Sequence, residues 1–103
     1  LFSHFHVTET AEETQQDFYP YYSGYMRRMF RGPIPAATYA HMLSPAGTFV
    51  GGSVQQVVDK ISILREATGA QRYVGQIDVG APPFSTIAKG IELLATKVAE
   101  QLR

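Results

Sequence analysis

The sequence predicts a helix-rich α/β fold in which three parallel strands are each followed by helix. Three observations predict it. Segments of period two, rich in aromatic and β-branched residues, stand at Leu1–Val7 and Arg72–Val79. Elsewhere apolar residues recur at helical spacing, most clearly after Ser53 and after Pro83. The stretches between strands are long enough for crossovers, which parallel pairing requires.

In the first segment Leu1, Ser3, Phe5 and Val7 point one way and Phe2, His4 and His6 the other. Thr10 with Glu13 makes a capping box, and Glu12 and Glu13 suit the positive end of a helix running to about Phe18. Pro20 cannot extend that helix but suits the start of a second, expected from about Pro20 to Phe30 and stopped by Gly32-Pro33. Ile34–Gly47, with Pro35 and Pro45, reads as a connection holding one helical turn at Ala36–Leu43. Thr48-Phe49-Val50 is a short strand that Gly51-Gly52 should break. Ser53 and Gln56 form a second capping box, and Val54, Val57, Val58, Ile61 and Leu64 mark one buried face. Gly69 stands where a left-handed cap is wanted. In the last strand Tyr73, Gly75, Ile77 and Val79 share a face, with Val74, Gln76 and Asp78 opposite. Gly80-Ala81-Pro82-Pro83 turns into a final helix whose apolar stripe is Phe84, Ile87, Ala88, Ile91, Leu94, Ala95, Val98 and Leu102.

Composition bounds the function. The chain has 103 residues, with nine Lys and Arg against nine Asp and Glu, so no charge excess favours nucleic acid. It has no cysteine, which excludes a disulfide scaffold, a thiolate metal site and a Cys nucleophile. No apolar run approaches the roughly 20 residues of a membrane span, and no signal-peptide pattern opens it. Residues 1–103 read as one segment, too short for a whole (β/α)8 barrel of about 250 residues. It begins with Leu1 rather than Met, which points to a piece of something longer. Three parallel strands of this size should leave sheet faces and edges open, to be completed by more chain or another copy.

Several motifs then recur in a telling order. His4-Phe5-His6-Val7-Thr8-Glu9-Thr10 opens the chain, and Phe18-Tyr19-Pro20 breaks the first helix. Phe49-Val50-Gly51-Gly52-Ser53 leads into an amphipathic helix, followed by Gly69-Ala70, Gln76-Ile77-Asp78-Val79-Gly80 and Pro83-Phe84. Together they resemble the C-terminal part of a luciferase-like monooxygenase, the flavin-dependent family related to bacterial luciferase, over nearly the whole chain. The resemblance implies the last three strand-helix units of a (β/α)8 TIM barrel. It implies an enzyme, a flavoprotein oxidoreductase that uses reduced flavin and O2 to oxidise a small organic substrate. The cofactor would be FMN, reduced by a partner reductase, or alternatively the deazaflavin F420. A cytoplasmic dimer is also implied, and this segment alone should be inactive. The chain departs from the family at Gly80-Ala81, where a glycine pair is expected, and at Pro82.

Active sites of such barrels lie at the C-terminal ends of strands, here near His4–His6, Gly51–Ser53 and Gln76–Gly80. His4 and His6 share a face and are the catalytic candidates, as hydrogen-bond partners of flavin or substrate or as proton carriers; a plain strand-end pair is the competing reading. As metal ligands they lack a third partner unless His41 approaches, and no metal is expected. Gly51, Gly52 and Ser53 precede a helix N-terminus and are candidates for a flavin phosphate, against a reading in which Ser53 is only a cap. Gln76 and Asp78 are candidates for positioning the flavin ring, or else for a structural hydrogen bond. Phe18, Tyr19, Tyr21, Tyr22, Tyr25 and Phe30, mixed with Arg27, Arg28 and Arg31, read mainly as helix packing or a dimer contact, since Met26 and Met29 interleave them, with the lining of a substrate pocket as the alternative. The rival to the enzyme is a small self-associating αβ interaction module.

Overall fold

The computed structural model describes residues 1–44 and 46–102, without the side chains of Asp17 and Arg28. Pro45 of the proline-containing connection and the Arg28 side chain of the aromatic cluster thus lie outside the described residues. The elements are β1 (Phe2–Thr8), α1 (Ala11–Asp17), α2 (Tyr19–Tyr25), α3 (Arg27–Phe30), α4 (Ala36–Leu43), β2 (Val50–Ser53), α5 (Val54–Thr68), β3 (Val74–Gln76), α6 (Phe84–Leu93), a π-helical turn (Leu94–Val98) and α7 (Ala99–Leu102). The α/β class holds, and the strands are parallel: β1 pairs with β2 from Phe5↔Val50 to Thr8↔Ser53 and with β3 from Phe2↔Val74 to His4↔Gln76.

The sheet order is β2-β1-β3. A barrel section would keep its strands in chain order, whereas here α5 carries the chain across β1 to its far edge. Alternation along β1 feeds two cores. Phe5 and Val7 join Val50, Val57, Val58, Ile61, Leu93 and Val98. On the other face Phe18, Tyr22, Ile34, Tyr39, Phe49 and Val79 form an aromatic core. Both faces of the central strand are therefore covered, contrary to the expectation that the faces stay open. The edge strands are β2 and β3, and Val74 on the latter is 48% exposed.

Local signals explain most boundaries. The Thr10 hydroxyl accepts from the Glu13 N–H at 3.2 Å, but it also donates to the Glu13 carboxylate, so the reciprocal backbone bond of a full box is replaced. Ser53 and Gln56 do form the complete box. Gly69 ends α5 at φ 70°, where a side chain would be strained. The expected second helix is two: it breaks at Met26 (φ −86°, ψ 5°) and ends at a left-handed Arg31 (φ 56°). Ala36–Leu43 makes eight residues of helix, more than the single turn expected.

The strands depart further. Gly51-Gly52 does not break β2 but lies inside it, paired with His6 and Val7, while Thr48 and Phe49 precede it. The ladder with a buried neighbour fixes the strand despite the glycines' poor propensity. Only Val74–Gln76 of the expected Arg72–Val79 is strand. Beyond Gln76 the alternation lapses, so Val79 joins the aromatic core instead of the face of Tyr73 and Ile77. In the last helix Phe84 and Ile91 are exposed, and the buried line runs through Gly90, Leu93 and Val98. Gly90 lets the helix approach Val7 and Ile77, which turns that face to the sheet.

Replacing Ser53 by Ala removes the acceptor for the Gln56 N–H, and a denaturant titration should show a loss of about 1 kcal/mol; Gln55→Ala, on the exposed side of the same turn, should change stability by less than about 0.5 kcal/mol.

Candidate functional site

Parallel pairing sets side chains of matched residues on the same side of the sheet. His4 therefore stands beside Gln76, and His6 beside Gly51. Both histidines face the helices that follow β1, but burial separates them. His6 is fully buried, its ring stacked on Phe18 with centroids 4.3 Å apart and planes at 14°. His4 is the third residue of β1, in its N-terminal half and not at the C-terminal strand end where the sequence suggested it; it is half-buried and borders a groove of about 430 Å³. The His4 Nδ1 and the Tyr22 hydroxyl are 2.8 Å apart, and the ring of Tyr25 meets His4 edge-on at 6.0 Å.

The groove wall is mostly apolar, with Phe2, Met26, Met29, Phe30 and Met42; Ser3, Thr38, Thr48 and the His4–Tyr22 pair are its polar groups. A mostly apolar wall with a few polar groups is typical of small-molecule sites. Burial, and then the neighbouring Tyr25, push the Tyr22 phenol up to about 12. It therefore stays neutral at ordinary pH and can donate to the imidazole or accept from it.

The remaining candidates are less gathered. Ser53 caps α5, and its own N–H donates to the Gln56 Oε1 at 2.9 Å. A Cβ at Gly51 would meet the Phe49 ring and one at Gly52 the Gln56 side chain. The glycines are thus enclosed by this chain's own side chains, and this segment does not fit a phosphate there. The groove beside His4 has the apolar wall that a flat ring or an apolar substrate needs, but Gln76, although paired with His4 in the sheet, does not line it. Asp78 lies beyond the end of β3 and is exposed, its carbonyl accepting from the Ala81 N–H at 3.0 Å. His41 is exposed on α4, and among the described residues no three His, Cys, Asp or Glu side chains come together to hold a metal ion. Among the described residues no helix is long and apolar enough to cross a membrane.

Two residues were not singled out by sequence. Tyr22 belonged to the aromatic cluster, and its hydrogen bond to a residue 18 positions away has no local signal. Lys60 is 3% exposed, and its Nζ donates to the carbonyls of Met42, at 2.9 Å, and Phe49. Its signal was visible: a lysine set among Val57, Val58 and Ile61. Burial pushes its ammonium down to about 8.

No family model matches this chain. Comparison with curated proteins likewise gives no match.

These groups give a pH profile. Lys60 has a folded pKa below its ordinary 10.5, so its charge opposes folding below about 8 and stability rises as pH climbs from there towards 10.5. Tyr22 and Tyr73 are raised from 10.0 to about 12, both mainly by burial, so the stability they hold below 10 is lost as pH rises through 12. Denaturation midpoints should peak near about pH 10. Lys60→Met should remove the rising limb and keep the falling one.

Proposed function

We propose that this chain is the C-terminal segment of a luciferase-like flavin-dependent monooxygenase, an enzyme that uses reduced flavin and O2 to oxidise a small organic substrate. The observation that carries this reading is the His4–Tyr22 pair at the edge of an apolar groove. The order of motifs along the chain supports it. So does Ala81: at φ 52° it adopts the left-handed conformation that a glycine serves best, at the position where the family pattern has one.

In the complete protein the three strand-helix units would belong to a (β/α)8 barrel, with β3 moved from β1 to its chain neighbour β2. The ladder to be exchanged is short, from Phe2↔Val74 to His4↔Gln76. FMN, or alternatively F420, would lie with its ring towards His4, its phosphate held by residues outside this segment. The reduced flavin supplies the electrons for O2 and is renewed by a separate reductase. Within this chain His4 holds or passes a proton at its imidazole, and Tyr22 fixes the ring and its tautomer. A cytoplasmic homodimer is the assembly that accords with this reading.

A second reading, a self-associating module without flavin, draws on the exposure of Phe2 (62%) and Met29 (73%) along the same groove. Flavin binding separates the two. The complete protein should bind FMN and turn over with a reductase and O2. In it, His4→Asn should lower kcat about 100-fold and Tyr22→Phe about tenfold while FMN affinity stays within about threefold. Asp78→Ala should leave turnover within about twofold. A protein that binds no flavin yet forms a concentration-dependent oligomer, broken by Met29→Lys, would establish the module instead.

A further inference from the structure

Across the sheet from His4 lies a separate cavity of about 400 Å³, between α5, the Ala70–Gly75 segment and the last helix. Its interior is apolar, built by Ile61, Leu94 and Leu102, with Tyr73 at one side. Two charged side chains line it, Arg65 and Arg72, and among the described residues no Asp or Glu does. In a chain that balances nine cationic against nine acidic residues, this is a local excess of one sign. Arg65 is held in place, its guanidinium donating to the Leu102 carbonyl at 3.0 Å. That contact uses one of the five N–H donors of a guanidinium.

The last helix adds an independent observation. Its π-helical turn spans Leu94–Val98, and the residues at and just past its two ends, Leu94 and Ala99, both line the cavity. Turns of this kind are rare and occur often at functional sites, because the extra residue displaces the helix face locally.

We propose that this cavity binds a small amphipathic anion: a medium-length aliphatic tail ending in a carboxylate. The tail lies against Ile61, Leu94 and Leu102, and the carboxylate is taken by Arg65 and Arg72, whose planar donors match its two oxygens. The site lies across the sheet from the His4 groove and belongs to the arrangement in which β3 pairs with β1.

The test is a titration of the isotopically labelled 103-residue chain with octanoate, octanol and octylammonium, followed through amide shifts. Octanoate should give saturable shifts at Ile61, Arg65, Ala70–Gly75, Leu94 and Ala99, and should bind about tenfold more tightly than octanol or octylammonium. Arg72→Met, at an exposed position, should keep the amide spectrum and weaken octanoate about tenfold; Arg65→Met should do the same where it folds. Equal affinity for octanol or octylammonium, unchanged octanoate affinity in folded Arg72→Met, shifts centred on the Phe2–Met29 groove, or no saturation would each overturn the proposal.

Discussion

The later half of β1 packs on both faces and pairs along one edge, which leaves it little contact with solvent. Burial rises along it from exposed Phe2 to the buried run Phe5–Thr8. Its ladder with β2 covers that buried half, whereas the ladder with β3 covers the earlier half. Every helix packed on the sheet is therefore referred to β1: Phe5 and Val7 key the aliphatic core, His6 and Thr8 the opposite side. The Thr8 hydroxyl closes the end of the strand by meeting the Thr14 hydroxyl at 2.5 Å and donating to the Thr10 carbonyl at 2.6 Å. Those bonds satisfy polar atoms that burial would otherwise penalise.

The two cores have different characters, which shapes what each side can do. The aliphatic side packs one long amphipathic helix and the final helix against the sheet. The aromatic side must fold four shorter helices over it, and it does so with large rings: Phe18 stacks between His6 and Tyr22, and Phe49 meets Tyr22 at 4.8 Å. Short helices leave many backbone groups unpaired at their ends. Lys60 answers part of that demand from the opposite direction, carrying donors to the carbonyls of Met42 at the end of α4 and Phe49 just before β2. An apolar side chain of the same length could fill the space but could donate to neither carbonyl. The desolvation that lowers its pKa is thus offset by backbone groups satisfied where two elements join.

What the sequence made legible was local. Both N-caps, the Gly69 terminus and the outward period of β1 are set by residues within four positions of each other. The strand character of Gly51-Gly52 was not legible, because it follows from distant partners, the pairing with His6 and Val7. The same division applies to the site. That His4 and His6 share a face follows from period two, and that Gln76 stands next to His4 needs only parallel register. That Tyr22 completes the pair, and that Ser53 is spent on its own helix, required the tertiary arrangement.

The difference between the two histidines follows from the burial gradient on β1. They are two residues apart, on one strand and one face, yet His6 is sealed by the Phe18 ring while His4 reaches the groove. A sealed imidazole can orient a neighbour but cannot exchange a proton with a ligand it never meets. An imidazole at a groove edge, held through Nδ1 by a phenol that stays neutral, presents its remaining ring atoms in a fixed direction. Preorganisation of that kind needs a rigid support, and Tyr22 has one: its ring is clamped between Phe18 and Phe49 in the aromatic core. The packing that fills the second core is therefore also what aims the His4 imidazole at the groove.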